Sequence, residues 1–586
     1  MIRLSSLGRS SILAATLFLL SPATGWAQEA PPEIRWDRYH GYEEVTRYLE
    51  HFVSTWPELA SLESAGKTTM MERDIWVLTL TNQATGAPED KPAFFLDGAT
   101  HAGELGAGET PLYTAWYLLS RYGEDPEVTH LLDTRTLYIM PRKDADGMEV
   151  VLTGVMDYDP AELPRWATSR GTDGPSDIDG DGHILQMRVP DPDGGWRISN
   201  EDPRITVRRR PGDEGPFYRL LSEGVDDNGD GEVNSDPPFT RFSSNRNYPG
   251  RWSDEMGIRR GDGDYPAQEP ETRAVVEFVH AHPNIAAMES LHHHGGVILR
   301  PFANLGDDCF PAIDLAYYDA IAQRGREITG YGYVSILDGF TAAPEQARYG
   351  AQVDWGYLAL GILSFTTEQW RYAGNIGPTG EWRDPTPEEN MARNDREFGG
   401  DHFRDWTPFE HPQLGPVEIG GWIEPSIGNP PPELLEREVM DPVTRWVLHQ
   451  AAMTPRVQVR DVEVIPVGSG ARVVATVVNE GFLPTNVTEH AIRAGLARPV
   501  SVTLEAGAGV TLLSGQGTRS VGHLEGSPPV VVRELFPALT YGGGNTATVE
   551  WVVEGSGEVE VRAASQKGGT HGVTVSVGSR AGGAPR

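Results

Sequence analysis

Apolar runs alternating with amphipathic stretches organise residues 28 to about 450, and they predict interleaved strands and helices. Residues 40–58 have the spacing of an amphipathic helix. Asp74-Ile-Trp-Val-Leu-Thr-Leu80, Pro92-Ala-Phe-Phe-Leu96 and Leu137-Tyr-Ile-Met140 read as strands, and residues 108–122 as a helix between the last two. Further apolar strands end at Ser290-Leu291 and at Ile362-Leu-Ser-Phe-Thr366. Near-continuous apolar strands separated by helices predict an α/β fold, a mixed, mostly parallel sheet sandwiched by helices. Ligand sites in such sheets lie past the carboxyl ends of the strands, so the residues just after these runs draw the eye.

Two stretches break the pattern. Residues 148–240 are an acidic insertion rich in Asp, Gly and Pro. From about 455, Val- and Thr-rich runs with partial alternation, such as Ala471-Arg-Val-Val-Ala-Thr-Val-Val478, predict a small all-β sandwich over 455–578. Pro430-Pro-Pro432 and a helical pattern over 433–452 close the first domain, which spans 28–452. Residues 580–586 read as a disordered tail.

The start of the chain reads as an export signal over 1–27. Arg3 and Arg9 supply the positive end, residues 12–20 the apolar core, and Gly25-Trp-Ala27 a small-residue cleavage site. The expected location is secreted or periplasmic, with no stable membrane insertion, because no stretch has transmembrane length. Lys and Arg number 49 against 84 Asp and Glu, a formal net charge of −35 that argues against nucleic acid as a partner. Cys309 is the only cysteine among 586 residues, so no internal disulfide is possible.

Candidate chemistry begins at His101-Ala-Gly-Glu104, directly after a buried strand. A His and a Glu at this spacing can hold two positions of one zinc ion, leaving a distant third ligand to be found. His292-His-His294 offers it, and strand alternation places His292 and His294 on one side, so geometry leaves those two tied.

These motifs and others in the same order resemble the zinc carboxypeptidases of the carboxypeptidase A-like family over roughly residues 35–450. His101-x-x-Glu104 resembles the first metal motif, Asp146-Gly147 the end of the family's Asn-Pro-Asp-Gly turn, and Asn245-Arg-Asn-Tyr248 the Asn-Arg-Asn-aromatic signature. Ser290-Leu-His292 with Arg300-Pro301 resembles the strand of the third ligand, and Asp354-Trp355 with Phe365-Thr-Thr-Glu368 the stretch ending in a catalytic glutamate. The resemblance implies Zn2+ held by His101, Glu104 and His292, polarising a carbonyl and acidifying a water. It implies Glu368 as the acid–base residue, and Asn245 and Arg246 as the grip on a substrate carboxylate, the partner being a peptide with a free C-terminus. Three departures stand out. Ala145 replaces the usual Pro, either Arg165 or Arg170 is left for the oxyanion, and the capping tyrosine falls on Gln346, with Tyr349 three residues on. Val353, beside Asp354, argues for an uncharged C-terminal side chain.

Within the insertion, Asp177, Asp179 and Asp181, and again Asp226, Asn228 and Asp230, place oxygen ligands at alternate positions before a Gly, as calcium loops do. The twelfth positions hold Arg188 and Pro237 in place of the closing Glu. The expected function is a secreted zinc metallocarboxypeptidase, with possible Ca2+. The alternatives are a cell-wall peptide hydrolase or N-acyl amino acid deacylase on the same fold, or a catalytically inactive module binding peptide or glycan.

Overall fold

The computed structural model describes residues 34–578 except 154–174, 228, 235–243, 254–262, 294, 342–346, 372–382, 384, 424–428, 537–538 and 540–543. The expected signal segment, Arg165, Arg170, Asn228, His294 and Gln346 lie outside the described residues.

The first domain opens with helix α1 (Tyr42–Thr55), strands β1 (Ala60–Lys67), β2 (Asp74–Leu80) and β3 (Ala93–Asp97), then helices α2 (Leu105–Arg121) and α3 (Pro126–Thr134), β4 (Thr136–Met140) and α4 (Ala145–Thr153). Strands β5 (Gln186–Pro190), β6 (Trp196–Ile198), β7 (Thr206–Arg208) and β8 (Phe217–Ser222) follow. The chain returns to the main sheet through α5 (Pro270–Ala281), β9 (Ile285–His293), β10 (Val297–Arg300), α6 (Ala312–Thr329), β11 (Gly332–Ser335), α7 (Gln352–Leu360) and β12 (Leu363–Gln369).

Eight strands form one sheet in the order β1-β2-β4-β3-β9-β12-β10-β11. Its centre, β4-β3-β9-β12, is parallel, and every residue of β3, β4 and β9 is buried. Strands covered on both faces carry no alternation, which is why their sequence reads as unbroken apolar runs. One face packs against α1, α2, α6 and the helix Asp441–Met453 through Phe52, Leu118, Tyr318 and Trp446; the other meets α5 and α7 through Phe278 and Trp355. This is the mixed α/β sandwich expected from the pattern. Helix α2 begins three residues earlier than its apolar periodicity suggests, because its first turn is set by the tight passage after β3. A Cβ on Gly98 would lie 1.9 Å from the Ala107 carbonyl oxygen, so only glycine lets the chain pass α2 there.

The acidic insertion is not a simple interruption. Strands β5–β8 join the hairpin β13 (Phe403–His411) and β14 (Gly415–Trp422) in a second sheet, ordered β13-β14-β5-β8-β6-β7. Arg188, at the twelfth position of the first acidic loop, is 2% exposed in this sheet and lies 3.8 Å over the Trp406 ring.

Residues 457–577 form two antiparallel four-stranded sheets, the all-β sandwich anticipated. Fully buried Trp551 sits in its core with Val473, Val502 and Val561. The sandwich is tied to the first domain by buried polar contacts. Asp314 on α6 accepts from the Glu489 and His490 backbone N–H groups at 2.6 and 3.0 Å and from the Tyr357 hydroxyl at 2.7 Å. Lys567 donates to the Ile285 carbonyl at 2.7 Å, at the start of β9, and burial pushes its ammonium down to about 7. Among the described residues no helix is long and apolar enough to cross a membrane.

Candidate metal and acid–base site

Two neighbouring strands and one helix start bring four side chains together. His101 lies in the turn after β3, and Glu104 is the residue before α2. His292 is the penultimate residue of β9. Glu368 on β12 is its register partner across a parallel pair, so the two side chains leave the sheet on the same side. The 267 positions that separate His101 from Glu368 in sequence vanish at the carboxyl edge of one sheet, where α/β folds place their sites.

His101 Nδ1 is 2.7 Å from one Glu104 oxygen, His292 Nδ1 is 3.0 Å from the other, and the two Nδ1 atoms are 3.2 Å apart. Ligand atoms of these three residues all lie within 4.8 Å of one another. Glu104 Oε2 is buried and faces the His292 ring. Lone pairs on two imidazoles and a carboxylate cannot satisfy one another, whereas a divalent cation between them satisfies all three. Nitrogen and oxygen donors in this number suit zinc with one position left open. The Ser290 hydroxyl is 3.3 Å from His292 Nε2, the kind of outer contact that fixes a ligating ring.

Electrostatics agree with a cationic centre. Burial pushes the Glu104 carboxyl up, but the facing imidazoles outweigh it and hold the group well below the usual carboxylate range. Glu368 goes the other way: burial first, and then the Glu104 carboxylate, push it up to about 8, against the pull of His292, Arg348 and Arg246. The two adjacent carboxylates shift in opposite directions because each faces different neighbours, and a bound cation would restore the ionised form of Glu368.

Asn245 and Arg246 occupy a short turn, Ser244–Arg246, facing this group. Asn245 Oδ1 accepts from the Gln352 N–H at 2.9 Å, which leaves its NH2 end for another partner. Behind it lies a buried network that the sequence did not flag. Gln352 donates to Asp97 Oδ2 at 2.7 Å, and its own oxygen accepts from Lys143 Nζ at 3.1 Å and the Tyr248 hydroxyl at 2.7 Å. Lys143 and Asp97 are both fully buried and 3.9 Å apart. Lys143 stands in the Lys-Asp-Ala-Asp-Gly147 run directly after β4, flanked by Arg142 and Asp144, and a dense charged run at the end of a buried strand is the only signal the sequence offers for it. Asp146, in that run, accepts from the Met70 and Met71 N–H groups at 2.9 Å and so fixes the β1–β2 turn.

The remaining candidates fall as follows. Tyr349 is half-buried on the loop 347–350, which is tied to the signature turn by the Tyr248 N–H donating to the Gly350 carbonyl at 3.0 Å. Val353 is 2% exposed and packs with Val297, Leu299, Ala303 and Ile336, a core position behind the cleft. Asp177 and Asp179 approach each other and the buried Glu223, with ligand atoms within 4.8 Å. Glu223 also accepts from the Ile178 and Leu185 N–H groups at 2.7 and 2.8 Å. Asp181 and Asp230 each accept from the N–H two residues on, and Asp226 from Gly229 and Gly231.

Comparison with known proteins covers the same part of the chain. The zinc carboxypeptidase family profile matches residues 45–392, and a domain family of unknown function matches residues 456–576. Carboxypeptidase A2 of Mus musculus is 26% identical over 355 residues, covering 60% of this chain and 67% of that protein. Carboxypeptidase A4 of Mus musculus is 22% identical, covering 60% and 66%. Among solved structures, carboxypeptidase A from Helicoverpa armigera is 16% identical, covers 64% of this chain and 73% of that one, and has a TM-score of 0.38. With more than half of its residues matched by the family profile, the chain belongs to the zinc carboxypeptidases, a family of peptide-bond hydrolases.

Proposed function

We propose that this protein is an exported metallocarboxypeptidase that removes single residues from the free C-termini of peptides. The observation that carries the reading is the convergence of His101, Glu104 and His292, with Glu368 in register beside them. Zinc held by those three residues supplies Lewis-acid polarisation of the scissile carbonyl and lowers the pKa of water. Glu368 takes the proton of the attacking water and hands it to the leaving amine. Arg246 holds the terminal carboxylate through two parallel hydrogen bonds, and the Asn245 NH2 adds a third. Lys143 and Gln352 keep the Asn245 amide turned the right way. Tyr349, half-buried on the loop beside the signature turn, is the candidate to cap the substrate. The complete set of His101, Glu104, His292 and Glu368 weighs against a purely binding module.

Digestion of a peptide library followed by mass spectrometry tests this reading. The expected products are peptides shortened one residue at a time from the C-terminus. Internal cleavage, or release of acyl groups or cell-wall amino acids alone, would replace it. Export over residues 1–27 belongs to the same proposal and is checked by the N-terminus of the mature protein.

Calcium at the acidic loops is a lesser part of the proposal. Asp177, Asp179 and Glu223 can offer oxygen ligands, and Asp181, Asp226, Asn228 and Asp230 belong to the two loops of the same pattern. A calcium-selective chelator that leaves zinc in place is expected to lower the Tm. An unchanged Tm removes calcium from the account.

A further inference from the structure

Glu104 stands at the N-cap of α2, yet its side chain makes no capping hydrogen bond. Its carboxylate is turned toward His101 and His292 instead. The first turn of a helix has N–H groups without intrahelical partners, and leaving one buried costs about 1–3 kcal/mol. The missing cap comes from far along the chain. Asn429, 8% exposed, accepts from the Leu105 N–H at 2.9 Å through Oδ1 and donates to the Gly103 carbonyl at 2.8 Å through Nδ2. These are the residues on either side of Glu104. The same Oδ1 is 3.3 Å from Nδ1 of His293, the neighbour of His292. His293 in turn packs against Gly106 on α2, where a Cβ would come within 2.3 Å of its ring. One amide therefore grips both arms of the ligand set, and it needs a donor and an acceptor end to do so. Asn429 lies beyond the last residue matched by the family profile, after the hairpin of the second sheet.

We infer that Asn429 is a positioning residue for the metal site: it caps α2 in place of Glu104, frees that carboxylate to face the imidazoles, and so sets how tightly zinc is held. The inference rests on the zinc reading above. The test compares full-length wild type with Asn429→Ala and Asn429→Ser, measuring zinc affinity against a chromophoric chelator and the Tm of the zinc-free proteins. Loss of such an outer contact costs about 10–100-fold in metal affinity. Asn429→Ala is expected to bind zinc that much more weakly, with a zinc-free Tm within a few degrees of wild type. Zinc bound equally tightly by wild type and both variants overturns the inference alone; a wild type that binds no zinc overturns the zinc reading beneath it. If neither variant folds, hydrogen exchange on wild type decides. The Leu105 amide should be as protected in the zinc-free protein as the interior of α2, and free exchange there overturns the clamp.

Discussion

Glu368→Gln is expected to lower kcat on free-carboxylate peptides by on the order of 10^3-fold while zinc content stays at the wild-type level. Glutamine keeps the volume and the hydrogen-bonding reach of the side chain but cannot take a proton. General acid–base catalysis contributes about 10^2–10^4-fold, or roughly 2.7–5.5 kcal/mol of barrier. Glu368 has the position for the role, one strand from His292 in direct register. It also has the environment, since burial and Glu104 push its carboxyl up to about 8 before any cation is bound. KM should change little, because the terminal carboxylate is gripped elsewhere. A variant keeping more than about a hundredth of wild-type kcat would take Glu368 out of the proton-transfer step, given the floor of that range. Loss of zinc in the variant would make Glu368 a ligand.

Arg246→Ala is expected to raise KM for peptides with a free C-terminus by about 10^2-fold and to leave amidated peptides almost untouched. A hydrogen bond to a charged group is worth about 1.5–3 kcal/mol, and a guanidinium makes two of them to one carboxylate. Part of that is recovered by Asn245, whose amide is already oriented by Gln352. Arg246→Lys should recover little, since an ammonium cannot reproduce the planar fork. Equal losses on free and amidated peptides would show that Arg246 does not read the terminus, and the exopeptidase assignment would lose its physical basis.

Both expectations draw on residues whose motifs stood out in sequence, and the reason is local. His101 and Glu104 are three residues apart, Asn245 and Arg246 are adjacent, and Glu368 ends an apolar strand. His101, Glu104 and Glu368 sit at or just past the end of a buried strand, so polar residues there contrast with their surroundings, while Asn245 and Arg246 stand out by their motif alone. Alternation along β9 left His292 and His294 tied, and the family spacing favoured His292. The structure places the His292 ring within 3.0 Å of Glu104 and 3.2 Å of His101. Val353 illustrates the opposite case: adjacency to Asp354 suggested a cleft position, but the start of α7 turns it into the apolar cluster with Val297 and Leu299.

What the sequence by itself determined is the set of elements and the chemistry of their ends. Hydrophobic period separates the α/β domain from the Val- and Thr-rich sandwich, because burial on one face or two writes itself directly into the order of residues. What only the tertiary structure decided is every partnership between distant segments. Strand β5 pairs with β14, whose residues lie more than two hundred positions later in the chain. Lys143, Asp97, Gln352 and Tyr248 meet behind the signature turn. Asn429 caps a helix 324 positions away. Hydrogen bonds between single polar groups have no period, so nothing in the one-dimensional pattern reveals them until the backbone brings donor and acceptor within 3 Å.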